Sequence, residues 1–204
     1  ETRFAAASLS KPVFAFLIYR LIENGLLPKN FLKVPLYLVL PEHTPFFRDP
    51  SRPPSIRFDM DDVGRAVTAE LVLSHSAGLP NWVAGNVDHF VSSYRSNKKF
   101  EYSGEGFYYL QKVIEKLTRK SLQQLAQQEI FGPLEMHHSS FSFPAGASVN
   151  VAVGHNAMME PQPVTGKPDE NAGASLYTTA ADYARFIAAC LDEKNKAFHA
   201  FFQE

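Results

Sequence analysis

Seven prolines fall between residues 26 and 58: Pro28, Pro35, Pro41, Pro45, Pro50, Pro53 and Pro54. They constrain the fold more than any other feature of the chain. Proline has no backbone N–H and clashes with the preceding helical turn, so neither a helix nor a central strand of ordinary length fits this stretch. A long irregular segment inside a compact domain is unusual, and is either functional or packs as an extended cover. A second stretch, 137–172, is also loop or short strand, with Gly146, Gly154, Gly166, Pro161, Pro163 and Pro168.

Helices are predicted around these loops. Val13, Phe14, Leu17, Ile18, Leu21 and Ile22 form an apolar stripe with a period near 3.6, which predicts a helix over Ser8–Asn24. Pro12 is tolerated only in the first turn of that helix, and Gly25 is a suitable stop. Thr68 is placed to cap a short helix through about His75, ended by Gly78-Leu79-Pro80, and Asp88–Tyr94 reads as another. Gly106–Thr118 is strongly amphipathic, and Ser121–Ile130 follows with Ser121 as its cap. Thr179 and Asp182 make a capping-box-like start to a helix through Leu191. Leu36–Leu40 reads as a short apolar turn or strand. The pattern is five or six helices, almost no convincing strands, and connections too long for a simple bundle. It predicts the helical part of a larger α+β protein.

Composition excludes several classes. Twenty basic and 21 acidic side chains give a net charge of −1, which rules out a globally basic nucleic-acid binder. A hydrophobic fraction of 45%, with 17 Phe and 8 Tyr, rules out intrinsic disorder. No run reaches the ~18 apolar residues of a membrane span. The single cysteine, Cys190, cannot form an internal disulfide or a cysteine zinc site, and reads as a small buried hydrophobe. Asp59, Asp61, Asp62, His89, His137, His138 and His155 show no metal spacing, and no metal or organic cofactor is implied. The chain starts at Glu1 and ends just behind Phe198, Phe201 and Phe202 with no signal peptide in it, so it reads as a segment of a longer protein.

Three short segments hold candidate chemistry. Ser8-Leu9-Ser10-Lys11 sets a hydroxyl and an amine three residues apart, which on a helix share a face. Serine is a poor nucleophile until a base takes its proton. Lys11 serves as that base only if its pKa falls well below ~10.4, and otherwise it stays charged and assists another base. Ala5, Ala6 and Ala7 leave room around the hydroxyl. An amine in the first turn of an apolar helix is expected to be buried and to need a partner. Tyr102-Ser103-Gly104 lies in a turn before a helix, where the phenol is either a proton carrier or a packing group. In Leu71–Pro80, His75 and Ser76 are adjacent and point in different directions, so they read as satisfying backbone groups near a tight turn rather than as part of a triad.

Taken together and in order, these segments resemble the serine β-lactamase and penicillin-binding-protein superfamily, in its class C β-lactamase and D,D-peptidase-like branch. Ser8–Lys11 matches the S-x-x-K motif, and Leu71–Pro80 resembles a structural segment written L-L-T-H-T-S-G-L-P. Tyr102-Ser103-Gly104 stands at Y-x-N, Gly106–Met136 is similar to a helix pair closed by a P-L-G-M-type turn, and Asn171–Leu191 to a glycine turn and helix. The resemblance implies an α+β fold of which this chain, residues 1–204, holds mainly the helical portion. The strands before S-x-x-K, the later sheet strands and the third motif (K-T-G or H-x-G) are expected outside it.

The resemblance also implies acyl transfer to Ser8, with Lys11 and Tyr102 sharing the proton work as a coupled pair and drawn within ~2.6–3.2 Å of their partners. The backbone N–H of Ser8 is implied to form half of an oxyanion hole. Gly104 replaces the motif's asparagine, whose amide in relatives contacts the substrate's side-chain amide and the lysine. That departure argues against a dedicated β-lactamase and leaves an esterase or peptidase-like branch. The implied substrate is a β-lactam, a D-amino-acid peptide or an ester, and the implied location is periplasmic or extracellular, in bacteria. Two rivals stand beside this reading. One is a non-catalytic relative that binds peptidoglycan or a partner. The other is a helical interaction module in which Ser8 is merely an N-cap and Lys11 a surface charge.

Overall fold

The computed structural model describes residues 1–44, 46, 56–57, 62–82, 100–143, 150–163, 169–192 and 194. The segment 88–94, read above as a helix, lies outside the described residues. The chain divides into two compact units, one of residues 1–23 and 121–204 and one of residues 24–120.

In the first unit, strand β1 (Phe4–Ala7) leads into helix α1 (Ser10–Glu23). Val13, Phe14, Ala15, Phe16, Leu17 and Ile18 are all buried, so α1 is enclosed on nearly every side, as its continuous apolar run requires. Its first residue is Ser10 rather than Ser8. Ala7 turns to a positive φ of 46° at the end of β1, and the Lys11 N–H already bonds the Ser8 carbonyl at 3.1 Å. Pro12 keeps its place in the first turn, and Gly25 just past the helix takes a φ of +73°.

The same unit contains a helix-to-helix arrangement that the sequence reading placed in one element. Ser121 and Gln124 form a reciprocal capping box at the start of helix α5 (Leu122–Ala126). The helix then widens into a π-helical turn, Gln127–Phe131, before Gly132. Strand β4 (Leu176–Thr178) pairs antiparallel with β1, Phe4 opposite Thr178 and Ala5 opposite Tyr177, with a bulge between Ala5 and Ala7. Helix α6 (Ala180–Leu191) follows, capped by Thr179, whose side-chain oxygen accepts the Asp182 N–H. Asp182 does not complete a capping box. Its carboxylate instead accepts from the His138 N–H (2.8 Å), the Ser139 hydroxyl (2.9 Å) and Arg185 (2.9 Å), which fastens the 138–139 loop to the start of α6. Phe16 and Phe186 meet edge to face at 5.7 Å between α1 and α6.

In the second unit the described part of the proline-rich stretch, chiefly residues 26–44, packs as a cover. Leu27, Phe31 and Leu36 are buried, and short 3-10 turns occupy Phe31–Lys33 and Leu36–Leu38, the latter where a turn or strand was expected. Strands β2 (Glu42–His43) and β3 (Ile56–Arg57) pair antiparallel. Helix α2 (Asp62–Arg65) precedes α3 (Ala69–Leu73), which Thr68 caps through the Leu71 N–H at 3.3 Å. Helix α4 (Gly104–Thr118) begins two residues before the predicted start because Ser103 is its cap, accepting the Gly106 N–H at 2.8 Å. Tyr109 on α4 donates its hydroxyl to the Leu40 carbonyl at 2.6 Å, tying the cover to the helix.

Candidate active site

Ser8 stands exposed in the turn between β1 and α1, while Lys11, one turn on, is only 5% exposed. A lysine in such a place needs acceptors, because burying an uncompensated ammonium is very costly. The Lys11 ammonium donates to the Gly173 carbonyl at 2.8 Å and lies 3.3 Å from the Ser8 hydroxyl oxygen. Burial at this depth removes the reading of Lys11 as a surface charge.

The Gly173 carbonyl is itself held. Asn171 accepts the Gly173 N–H through its side chain at 2.7 Å, and the Ser175 hydroxyl accepts the Asn171 N–H at 2.8 Å while donating to the Phe141 carbonyl. Ser10, fully buried, donates to the Ala7 carbonyl at 2.5 Å and accepts the Leu176 N–H at 3.0 Å. A single hydroxyl thus links β1, α1 and β4 around the turn that presents Ser8. The sequence reading passed over Ser10, since a serine between two motif residues carries no signal of its own.

Tyr102 and Gly104 belong to the second unit. Tyr102 is 38% exposed, and its ring stacks on His75 at 4.5 Å with planes 30° apart. His75 takes a positive φ of 55°, and its Nδ1 accepts the Ser103 N–H at 3.0 Å. The expectation that His75 satisfies a backbone group holds, although the group lies 28 residues away in the Tyr102 turn. His75 therefore orients the loop that carries the phenol. Ser76 stays with the helix end, its hydroxyl 2.6 Å from that of Ser74. Just inside α4, buried Glu105 accepts the Phe46 N–H at 3.0 Å and lies 2.6 Å from His43. Neither His43 nor Glu105 was singled out from the sequence.

The family model for β-lactamase matches residues 1–200. The chain belongs to the β-lactamase family. No curated protein sequence matches it. Among solved structures it is similar to a class C β-lactamase from Rhodobacter sphaeroides, with a TM-score of 0.73 at 20% identity over 98% of this chain and 56% of that one. A D-alanine carboxypeptidase from Burkholderia cenocepacia aligns with a TM-score of 0.71 at 23% identity, over 94% of this chain and 50% of that one. An octameric penicillin-binding-protein homologue from Pyrococcus abyssi gives 0.67 at 21%, over 97% and 46%. The chain spans about half the length of these structures. Its fold is accordingly a partial β-lactamase fold, rich in helix with a small sheet.

Two further features of this β-lactamase-family chain bear on chemistry. Cys190 is half-buried rather than enclosed, and burial still pushes its thiol up to about 12, which keeps it protonated and unreactive. Glu1, His138 and Asp182 bring potential metal-ligating atoms within 4.8 Å of one another, a grouping that sequence spacing did not show. Asp182 already accepts three hydrogen bonds there, which accounts for its burial structurally. Among the described residues no helix is long and apolar enough to cross a membrane.

Proposed function

We propose that this family member is a serine hydrolase that works through an acyl-enzyme on Ser8. The observation that carries the reading is the buried Lys11 amine, anchored by the Gly173 carbonyl and 3.3 Å from an exposed serine hydroxyl. Ser8 Oγ attacks the carbonyl carbon of an ester or amide. Its proton passes to a base, a role for which this reading nominates Lys11 and Tyr102, and from there to the leaving oxygen or nitrogen as the carbonyl–leaving-group bond breaks. Water then attacks the Ser8 ester, and its proton returns to the serine oxygen as the acid departs. The Ser8 N–H donates one hydrogen bond to the developing oxyanion. Tyr102 is held for its part by the His75 stack, and Gly104, at the position of the motif's asparagine, supplies no side-chain amide. Substrates are esters, D-amino-acid peptides or β-lactams, and the enzyme acts in the periplasm or outside the cell.

The test is steady-state hydrolysis of p-nitrophenyl acetate by the full-length protein and its Ser8→Ala variant. The proposal expects turnover to fall by about 10³-fold or more in the variant, as for loss of a nucleophile. Turnover retained in Ser8→Ala contradicts it.

A further inference from the structure

Gly104 and Trp82 form one feature of the fold. The Pro80–Trp82 segment is stitched to the turn that opens α4. The Ser103 hydroxyl donates to the Pro80 carbonyl at 2.8 Å, the Gly104 N–H to the Asn81 side-chain oxygen at 3.0 Å, and the Glu105 N–H to the Asn81 carbonyl at 2.8 Å. This seats the Trp82 indole directly on Gly104. A Cβ at position 104 would lie 2.5 Å from Trp82 Cζ2 and 2.6 Å from Cη2, closer than any real contact allows. Only glycine fits while the indole is there, and ring carbon fills the space that a side chain two residues after Tyr102 would take. The Phe46 ring, 5.8 Å from Trp82, extends the aromatic surface, and Trp82 itself is only half-buried.

We propose that Trp82 is a specificity-determining residue, an aromatic wall beside Tyr102 that selects esters or amides with an aryl group on the acyl side and no amide next to the reacting carbonyl. The proposal rests on the acyl-transfer reading of Tyr102. An aryl ring gains an offset or edge contact with the indole. A substrate amide pressed against ring carbon gives up its water and receives no hydrogen bond from position 104, where glycine offers no side chain. Gly104 and Trp82 act as a pair: the glycine admits the indole, and the indole sets the chemistry of the wall.

The experiment compares kcat/KM for two esters with the same leaving group, p-nitrophenyl phenylacetate and the p-nitrophenyl ester of N-acetylglycine, on the full-length protein. The wild type is expected to prefer the phenylacetyl ester by about tenfold or more, and Trp82→Ala to reduce that ratio by about tenfold. Gly104→Ala, which displaces the indole, is expected to lower the ratio as well. The double variant should be no worse than Trp82→Ala, since the clash is then gone. Gly104→Ala also reads the ratio if Trp82→Ala fails to fold. A ratio unchanged in both single variants, or a wild type that prefers the N-acetylglycyl ester, overturns the assignment. Ser8→Ala run in parallel keeps the two claims apart. Persistent turnover there defeats the acyl-enzyme reading, whereas an unmoved ratio with Ser8-dependent turnover defeats only the role of Trp82.

Discussion

Lys11 and Tyr102 are held in opposite ways. The amine is buried and fixed by polar contacts, chiefly to a carbonyl 162 residues away that is itself pinned by Asn171 and Ser175. The phenol is partly exposed and held by ring stacking on His75, with a hydrogen bond from the neighbouring Ser103 N–H to the same imidazole. The first seat couples chemistry to folding, because removing the amine leaves a buried carbonyl without its donor. The second separates them, because the phenol hydroxyl can be deleted while the stack survives. The lesson is that two residues of one proposed reaction have very different mutational signatures.

The sharpest way to break that contrast is Lys11→Ala. It is expected to lower kcat/KM by about 10³-fold or more and to destabilise the protein by about 1–3 kcal/mol through the abandoned Gly173 carbonyl. Kinetics and urea unfolding of the full-length protein measure the two effects, and a Lys11→Ala protein of unchanged stability would dissolve the contrast. Tyr102→Phe comes next. Its kcat should fall by about 10²–10³-fold while stability moves by less than about 0.5 kcal/mol, since the ring still stacks on His75.

His75→Ala should fall between the two. It removes both the stack and the acceptor for the Ser103 N–H, so a loss of about 1–2 kcal/mol and a roughly tenfold drop in kcat are expected. His75→Phe, which keeps a ring but no acceptor, should recover part of the rate. The smallest functional effect belongs to Cys190. With its thiol pushed up to about 12, alkylation by iodoacetamide at pH 8 should run roughly 10³-fold slower than for an ordinary cysteine, and rise with pH as the thiolate appears. Cys190→Ala should leave hydrolysis unchanged.

The longer helices were legible in the sequence because each carries its own local signal, whereas the short helix Asp62–Arg65 was not. The stripe from Val13 to Leu21 and the Thr68, Ser121 and Thr179 caps need nothing beyond neighbouring residues. The β1–β4 pair was not legible. Phe-Ala-Ala-Ala and Leu-Tyr-Thr are too short to alternate, and they become strands only because each supplies the other's hydrogen bonds across some 170 residues of chain. The π-helical turn at Gln127–Phe131 hid for a related reason, since one widened turn leaves the apolar pattern nearly intact.

The site divides in the same way. The spacing of Ser8 and Lys11 suggested their proximity, and the apolar helix behind them suggested burial, which the structure bears out at 5% exposure. The partners that do the holding, Gly173, Asn171, Ser10 and His75, are distant in sequence from what they hold or silent in pattern. At Gly104 the sequence marked a departure from Y-x-N, but only three dimensions show that Trp82 occupies the vacated space.

The most direct test of the central claim is peptide mapping by mass spectrometry after the full-length protein is treated with a fluorophosphonate probe. The account predicts one adduct, on Ser8, that disappears in Ser8→Ala and is strongly slowed in Lys11→Ala. A folded protein that takes no label, or takes it on another residue, contradicts it.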